Sequence, residues 1–140
     1  MKTIITVLVL LVFLSGCSQQ NGQQKEDVEA ELDEPFQLKV GQTARISSED
    51  LFIKLIDVPA DSRCPSDVVC VWGGEVTAAV ELKKGPESLG TLNITREYGA
   101  LEEVENVGVY RLSLVKMDPY PVSTRPIALS DYVATLRVSK

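Results

Sequence analysis

Val76-Thr77-Ala78-Ala79-Val80-Glu81-Leu82-Lys83 sets Val76, Ala78, Val80 and Leu82 on one side of an extended chain and Thr77, Ala79, Glu81 and Lys83 on the other. A hydrophobic period of two is that of a β-strand with one face in a core. The next four residues, Lys84-Gly85-Pro86-Glu87, have turn composition, and Leu89 to Arg96 supplies a partner strand, so the stretch reads as a hairpin.

The same grammar extends in both directions. Upstream, Phe36-Gln37-Leu38-Lys39-Val40 alternates, Gly41-Gln42 breaks it, and Thr43 to Ile46 resumes. Leu51 to Val58 is richer in apolar residues and reads as a central strand with Leu51, Ile53 and Leu55 inward, ended by Pro59. Downstream, Tyr110, Leu112 and Leu114 share a face, Asp118-Pro119-Tyr120-Pro121 closes that segment, and Tyr132, Ala134, Leu136 and Val138 mark a last strand. Leu101 to Glu105, followed by Asn106 and Gly108, reads as a loop. About seven short strands separated by turns, with no amphipathic run of helical length, predict an all-β antiparallel sandwich of the immunoglobulin-like kind.

Ahead of this domain the composition changes twice. Met1 to Gly16 has a basic start, an apolar run from Ile4 to Leu14 and small residues at its end. That is the build of an export signal, and the run falls short of the ~20 residues that span a bilayer. Leu14-Ser15-Gly16-Cys17 resembles the bacterial lipobox, which implies a diacylated Cys17 as the first mature residue; the plainer reading is a secretory signal with a cysteine beside its cleavage site. Ser18 stands where an aspartate would favour retention at an inner membrane, so in a two-membrane cell the outer one is expected. Residues 17–35 are polar and then acidic, with Glu26, Asp27, Glu29, Glu31, Asp33 and Glu34 close together. This predicts a disordered tether, the alternative being a site for a cationic partner or calcium. Val28 and Leu32, four apart, leave room for a short helix within it. The division expected is therefore signal 1–16, anchored linker 17–35 and sandwich 36–140.

Of three cysteines, the lipid claims Cys17, leaving Cys64 and Cys70 with five residues between them. In an oxidising compartment they pair. A redox-active pair normally lies two residues apart at a helix N-terminus, which this pair does not, and metal binding or free thiols are the remaining alternatives. Trp72, two residues past Cys70, either packs in the core beside the disulfide or stands exposed as a recognition platform. Gly73-Gly74 suits a tight bend. Asp61 and Arg63 pair with one another, cap the loop backbone or meet a ligand. With Ser66 and Asp67 at the tip and Trp72, they make up the candidate binding loop.

The segment from Asp61 to Gly74 resembles a signature, D-S-R-C-P-x-x-V-x-C-[VI]-W-x-G, that recurs in small secreted or lipid-anchored bacterial proteins of uncharacterised function. A weaker similarity reaches Tyr110 to Leu114 and the Pro119-Tyr120-Pro121 turn. The resemblance implies an oxidised cysteine loop leading into a strand and carries no activity with it.

Several function classes lose support on composition. The chain has 140 residues and a net charge of −6, and from Pro35 onward 12 basic residues face 14 acidic ones, which offers no footprint for nucleic acid. It contains no histidine, the usual general base near neutral pH and the commonest metal ligand. No nucleophile elbow, P-loop or metal-ligand spacing is present. A non-catalytic module with no cofactor is expected, held to the membrane by its lipid and binding an envelope protein or surface polymer. The alternative is an inhibitor of a secreted hydrolase that acts through the Cys64 to Cys70 loop.

Overall fold

A computed structural model describes residues 27–100 and 103–140. The signal segment, Cys17 and the first part of the tether lie outside the described residues. The strands are β1 (Val28–Glu29), β2 (Pro35–Lys39), β3 (Thr43–Ile46), β4 (Leu51–Asp61), β5 (Glu75–Lys84), β6 (Glu87–Glu97), β7 (Val104–Val107), β8 (Tyr110–Asp118) and β9 (Val133–Ser139). One sheet runs β1-β3-β4-β5-β6 and the other β2-β9-β8-β7. All pairings are antiparallel except that of β1 with β3.

The two sheets bury the residues that the alternation points inward. Leu51, Ile53 and Leu55 of β4 and Val76, Ala78, Val80 and Leu82 of β5 are fully buried, against Leu112, Ala134, Leu136 and Val138 from the second sheet. Each large side chain of this kind contributes roughly 1.5–3 kcal/mol by leaving water. The connectivity is simpler than the immunoglobulin order. β3 to β6 follow one another as a meander, β7 to β9 form a second, and the chain changes sheet only between β1 and β2, between β2 and β3 and between β6 and β7. Short turns such as Gly85-Pro86, with Gly85 at φ +53°, make neighbours of consecutive strands.

Three expectations change. The folded domain starts eight residues before Phe36, because Val28 and Glu29 pair with Ala44 and Arg45 and the Ala30 amide donates to the Arg45 carbonyl. From Asp27 to Leu32, exposed Asp27, Glu29 and Glu31 alternate with half-buried Val28, Ala30 and Leu32, which pack on the core. The segment is an edge strand with carboxylates facing water, not a helix, and such charges on an edge discourage pairing with other chains. The second change is β7, which occupies part of the stretch read as a loop; its exposed side chains carry little hydrophobic pattern, and β8 supplies its ladder. Thirdly, β4 does not stop at Pro59. Its register slips between Asp57 and Ala60, so Val58 and Pro59 fall in a bulge where no partner needs the amide that proline lacks. That bulge carries β4 on to Asp61, where the cysteine loop begins.

Candidate functional site

The loop from Ser62 to Gly74 grows out of the β4–β5 ladder. The Ser62 amide donates to the Glu75 carbonyl at 2.8 Å, and the Cys64 amide donates to the Gly73 carbonyl at 2.9 Å. The disulfide between Cys64 and Cys70, with Cα atoms 5.9 Å apart, closes the far part, and the Val68 amide donates to the Pro65 carbonyl across a turn. Both glycines of the return limb are required. A Cβ on Gly74, at φ +73°, would lie 2.0 Å from the Ser62 carbonyl oxygen, and one on Gly73 would lie 2.5 Å from that of Tyr98. The Tyr98 amide donates to the Gly74 carbonyl, so β6 backs this limb.

Arg63 is the hub. It is 3% exposed, and its Nε and Nη2 donate to Asp61 Oδ1 and Oδ2 at 2.7 and 2.5 Å. Nη1 donates to the Met117 carbonyl at 2.6 Å and Nη2 to the Pro119 carbonyl at 3.0 Å. The guanidinium also lies 5.9 Å from the ring centroid of Tyr98 and 5.2 Å from that of Tyr120, and the two rings meet edge to face. A planar cation with five donors fits such a nest as lysine does not. Tyr132 donates its hydroxyl to Asp61 Oδ2 at 2.9 Å.

These contacts set the electrostatics. Partial burial disfavours a charge on Asp61, but hydrogen bonds from Arg63 and Tyr132 outweigh it and hold the carboxyl below the usual carboxylate range. Burial first, and then the Asp61 carboxylate, push the Tyr132 hydroxyl up to about 12. Near neutral pH the carboxylate therefore stays ionised and the phenol neutral, and neither is poised to exchange a proton. Of the two, Arg63 spends its donors inside the protein. Asp61 and Arg63 thus pair with each other and support the loop.

A second strap holds the other flank. The Ser66 amide donates to the Pro121 carbonyl at 3.0 Å, and the Asp67 carboxylate accepts from the Ser123 amide at 2.7 Å and from its hydroxyl at 2.5 Å. The Ser123 bonds lower the Asp67 pKa. Between this flank and the segment 121–127 runs a groove of about 590 Å³, lined by Asp61, Arg63 and Tyr132 together with Pro65 and Arg125. Ser66 and Asp67 are exposed beside it.

Trp72 is not in the core. It is 56% exposed, Val68 is 45% exposed, and Val69 and Val71 are fully bare. The chain bends at 71 and 72 instead of continuing as a strand, and the glycine pair lets the return limb pack its backbone, not its indole, against Tyr98. The result is a braced loop with an apolar tip. Sequence reasoning missed Tyr98, Tyr132 and Ser123 as its supports. Only the Pro119-Tyr120-Pro121 turn carried a signal, through its share in the resemblance.

A two-sheet β-sandwich bearing a braced, disulfide-closed loop is the class that this fold and site define. No protein-family model matches the chain, and neither a curated protein nor a solved structure does.

Proposed function

We propose that this protein is a non-catalytic binding module of the bacterial envelope, anchored through lipid on Cys17, whose working face is the end of the sandwich that carries the cysteine loop. The observation that supports this reading is the contrast within the loop. Its base and one flank are immobilised by Arg63, Asp61 and the bonds of Ser66 and Asp67 to Pro121 and Ser123, while the Val68 to Trp72 tip faces water. Rigid presentation of exposed groups favours binding because little freedom is lost when a partner docks. Its partner would be an envelope protein or surface polymer lodged in the groove between Pro65 and Arg125.

The test is photo-crosslinking in the native host from a reactive residue placed at Ser66, which is exposed next to Pro65 of the groove and does not line it. Capture of one discrete partner, abolished by Arg125→Glu with the protein still folded, is the expected result. A pattern no different from that of the same probe at Ser88, on the distant β5–β6 hairpin, would end the proposal.

A second reading draws on the same loop. A disulfide-closed, outward loop has the form of one that enters the active site of a secreted hydrolase and resists turnover. It calls for dose-dependent inhibition of an envelope or secreted hydrolase that fails when both cysteines are replaced by serine.

A further inference from the structure

The exposed large hydrophobic side chains are not spread evenly. Of the nine among the described residues, Val68, Val69, Val71, Trp72, Tyr120 and Leu129 belong to one end of the sandwich. Four are on the cysteine loop. Tyr120 packs against Tyr98 beside Arg63, and Leu129 opens the 3-10 turn leading to Tyr132, whose hydroxyl reaches Asp61. Charges around this end, Glu97, Arg125 and Asp131, are of both signs and form no basic patch.

The path of the chain decides what meets this end. β1 runs parallel to β3, with Val28 opposite Ala44, and Ala44 lies opposite Ile53 of β4. Moving upstream from Val28 therefore means moving along β4 toward Asp61, so the N-terminal segment leaves the domain in the direction of the cysteine loop. From the level of Ile53, opposite Leu82, to that of Asp61, opposite Val76, is six residues of β5. At ~3.3 Å per strand residue that is ~20 Å, and the loop adds roughly 10–15 Å more. Val28 lies eleven residue steps after Cys17. The greatest span of those steps, ~36 Å, is long enough to reach the level of the tip.

We infer that the tip of Val68, Val69, Val71 and Trp72 is a second membrane contact, seated in the interface of the bilayer that holds the lipid on Cys17. The inference rests on the anchor reading above, and it leaves the groove at Arg125 for the partner. Aliphatic side chains beside a tryptophan, with a tyrosine further back, match the interface, where the indole keeps its N–H among polar headgroups while its body leaves water. With no basic patch, the contact is apolar and holds at high salt. Two attachments, one covalent and one through a braced loop, fix the orientation of the domain on the membrane.

Trp72 is the sole tryptophan, so its emission is an unmixed reporter. The full-length mature protein, purified from membranes, is reconstituted into phosphatidylethanolamine–phosphatidylcholine vesicles with or without bromine near the top of the acyl chains. Flotation reports the anchor and Trp72 emission reports the tip. The expected result is flotation, blue-shifted emission, strong bromine quenching that persists in high salt, and protection from aqueous iodide. A Val69→Asp/Val71→Asp variant, altered only at bare positions, floats equally and loses most of the quenching. Flotation with a water-exposed Trp72 overturns the contact and leaves the anchor standing. Shielding of Trp72 only when other envelope proteins are present, without bromine quenching, overturns it in favour of a protein occupant. Failure to float, with an unmodified Cys17 by mass spectrometry, removes both readings.

Discussion

The Arg63 guanidinium lies 5.2 Å from the ring centroid of Tyr120 while its Nη2 donates to the carbonyl of Pro119, so one side chain of the cysteine loop holds the turn that follows β8 by two kinds of contact. Because the same guanidinium grips Asp61, the end of β4 and the end of β8 are joined across the sandwich. A lesion at this point acts on both sheets.

Arg63→Ala leaves the Asp61 carboxylate with a single side-chain donor, Tyr132, and strips the Met117 and Pro119 carbonyls of their guanidinium contacts. The expected loss is ~3–5 kcal/mol, as for a buried pair with one member removed. Arg63→Lys keeps the charge without the fork and falls between. Urea unfolding measures both; a loss under ~1 kcal/mol in the alanine variant would show that the hub does not hold the fold.

Stability should fall at both ends of the pH scale, for different groups. The folded state lowers the Asp61 pKa, so its contribution is complete above the unfolded value near ~4 and is lost as pH falls through the lower folded value. Tyr132 is raised to about 12, so its contribution is complete below its unfolded value and is lost as pH rises through about 12. Urea midpoints against pH for the wild type, Asp61→Asn and Tyr132→Phe check the assignment. Tyr132→Phe flattens the alkaline limb and Asp61→Asn the acid one; unchanged limbs contradict it.

Gly74→Ala and Gly90→Ala both place a side chain at positive φ, a conformation that costs on the order of 1–3 kcal/mol. Only at Gly74 does the new Cβ run into backbone, at Ser62, whereas around Gly90 there is nothing within 4 Å. The first variant should therefore be much the less stable. Equal thermal midpoints would mean that the close approach of Gly74 to Ser62 is not a constraint.

Replacing Cys64 and Cys70 together by serine should cost only ~2 kcal/mol, since closing so short a loop restrains the unfolded chain little. The Arg63 hub and the Ser123 strap lie at the base, so the sandwich persists and the tip loosens. Amide exchange reads the difference: faster at residues 68–72, unchanged in β5 and β8. Global unfolding at room temperature contradicts this division.

Removing residues 27–34 should destabilise the domain by on the order of 2–4 kcal/mol, the worth of three partly buried side chains, Val28, Ala30 and Leu32. A midpoint equal to that of the full chain would restore the tether reading up to Pro35.

How far the sequence could be read follows from which forces leave a local trace. Strands such as β5 and β9 bury one face, and burial writes itself as alternation, so their inward residues were legible one by one. β1 alternates as well, but the charges that mark its outer face also dominate its composition, and the segment reads as linker unless the period is weighed above the charge. β7 has no such trace, because its place comes from the ladder of β8. The disulfide was legible as the pairing of the two cysteines left once Cys17 is set aside, on the expectation of an oxidising compartment. The Arg63 nest was not, since Tyr98, Tyr120 and Tyr132 come from three distant segments that only the fold assembles. Trp72 shows the limit of proximity arguments: an even spacing from Cys70 implies a shared face only if the chain stays extended, and Gly73-Gly74 ends that condition.

In the second sheet β9 lies between β2 and β8, so a strand made last fills a slot opened by one of the first. While the chain is being synthesised, β2 has no neighbour in its own sheet until Val133 to Ser139 emerges. The first sheet can form as a meander at any time after residue 97, but one side of its apolar face stays wet until the final strand arrives. Completion of this sheet is thereby tied to the arrival of residues 133–139, and a chain halted before residue 133 lacks the strand that joins β2 to β8.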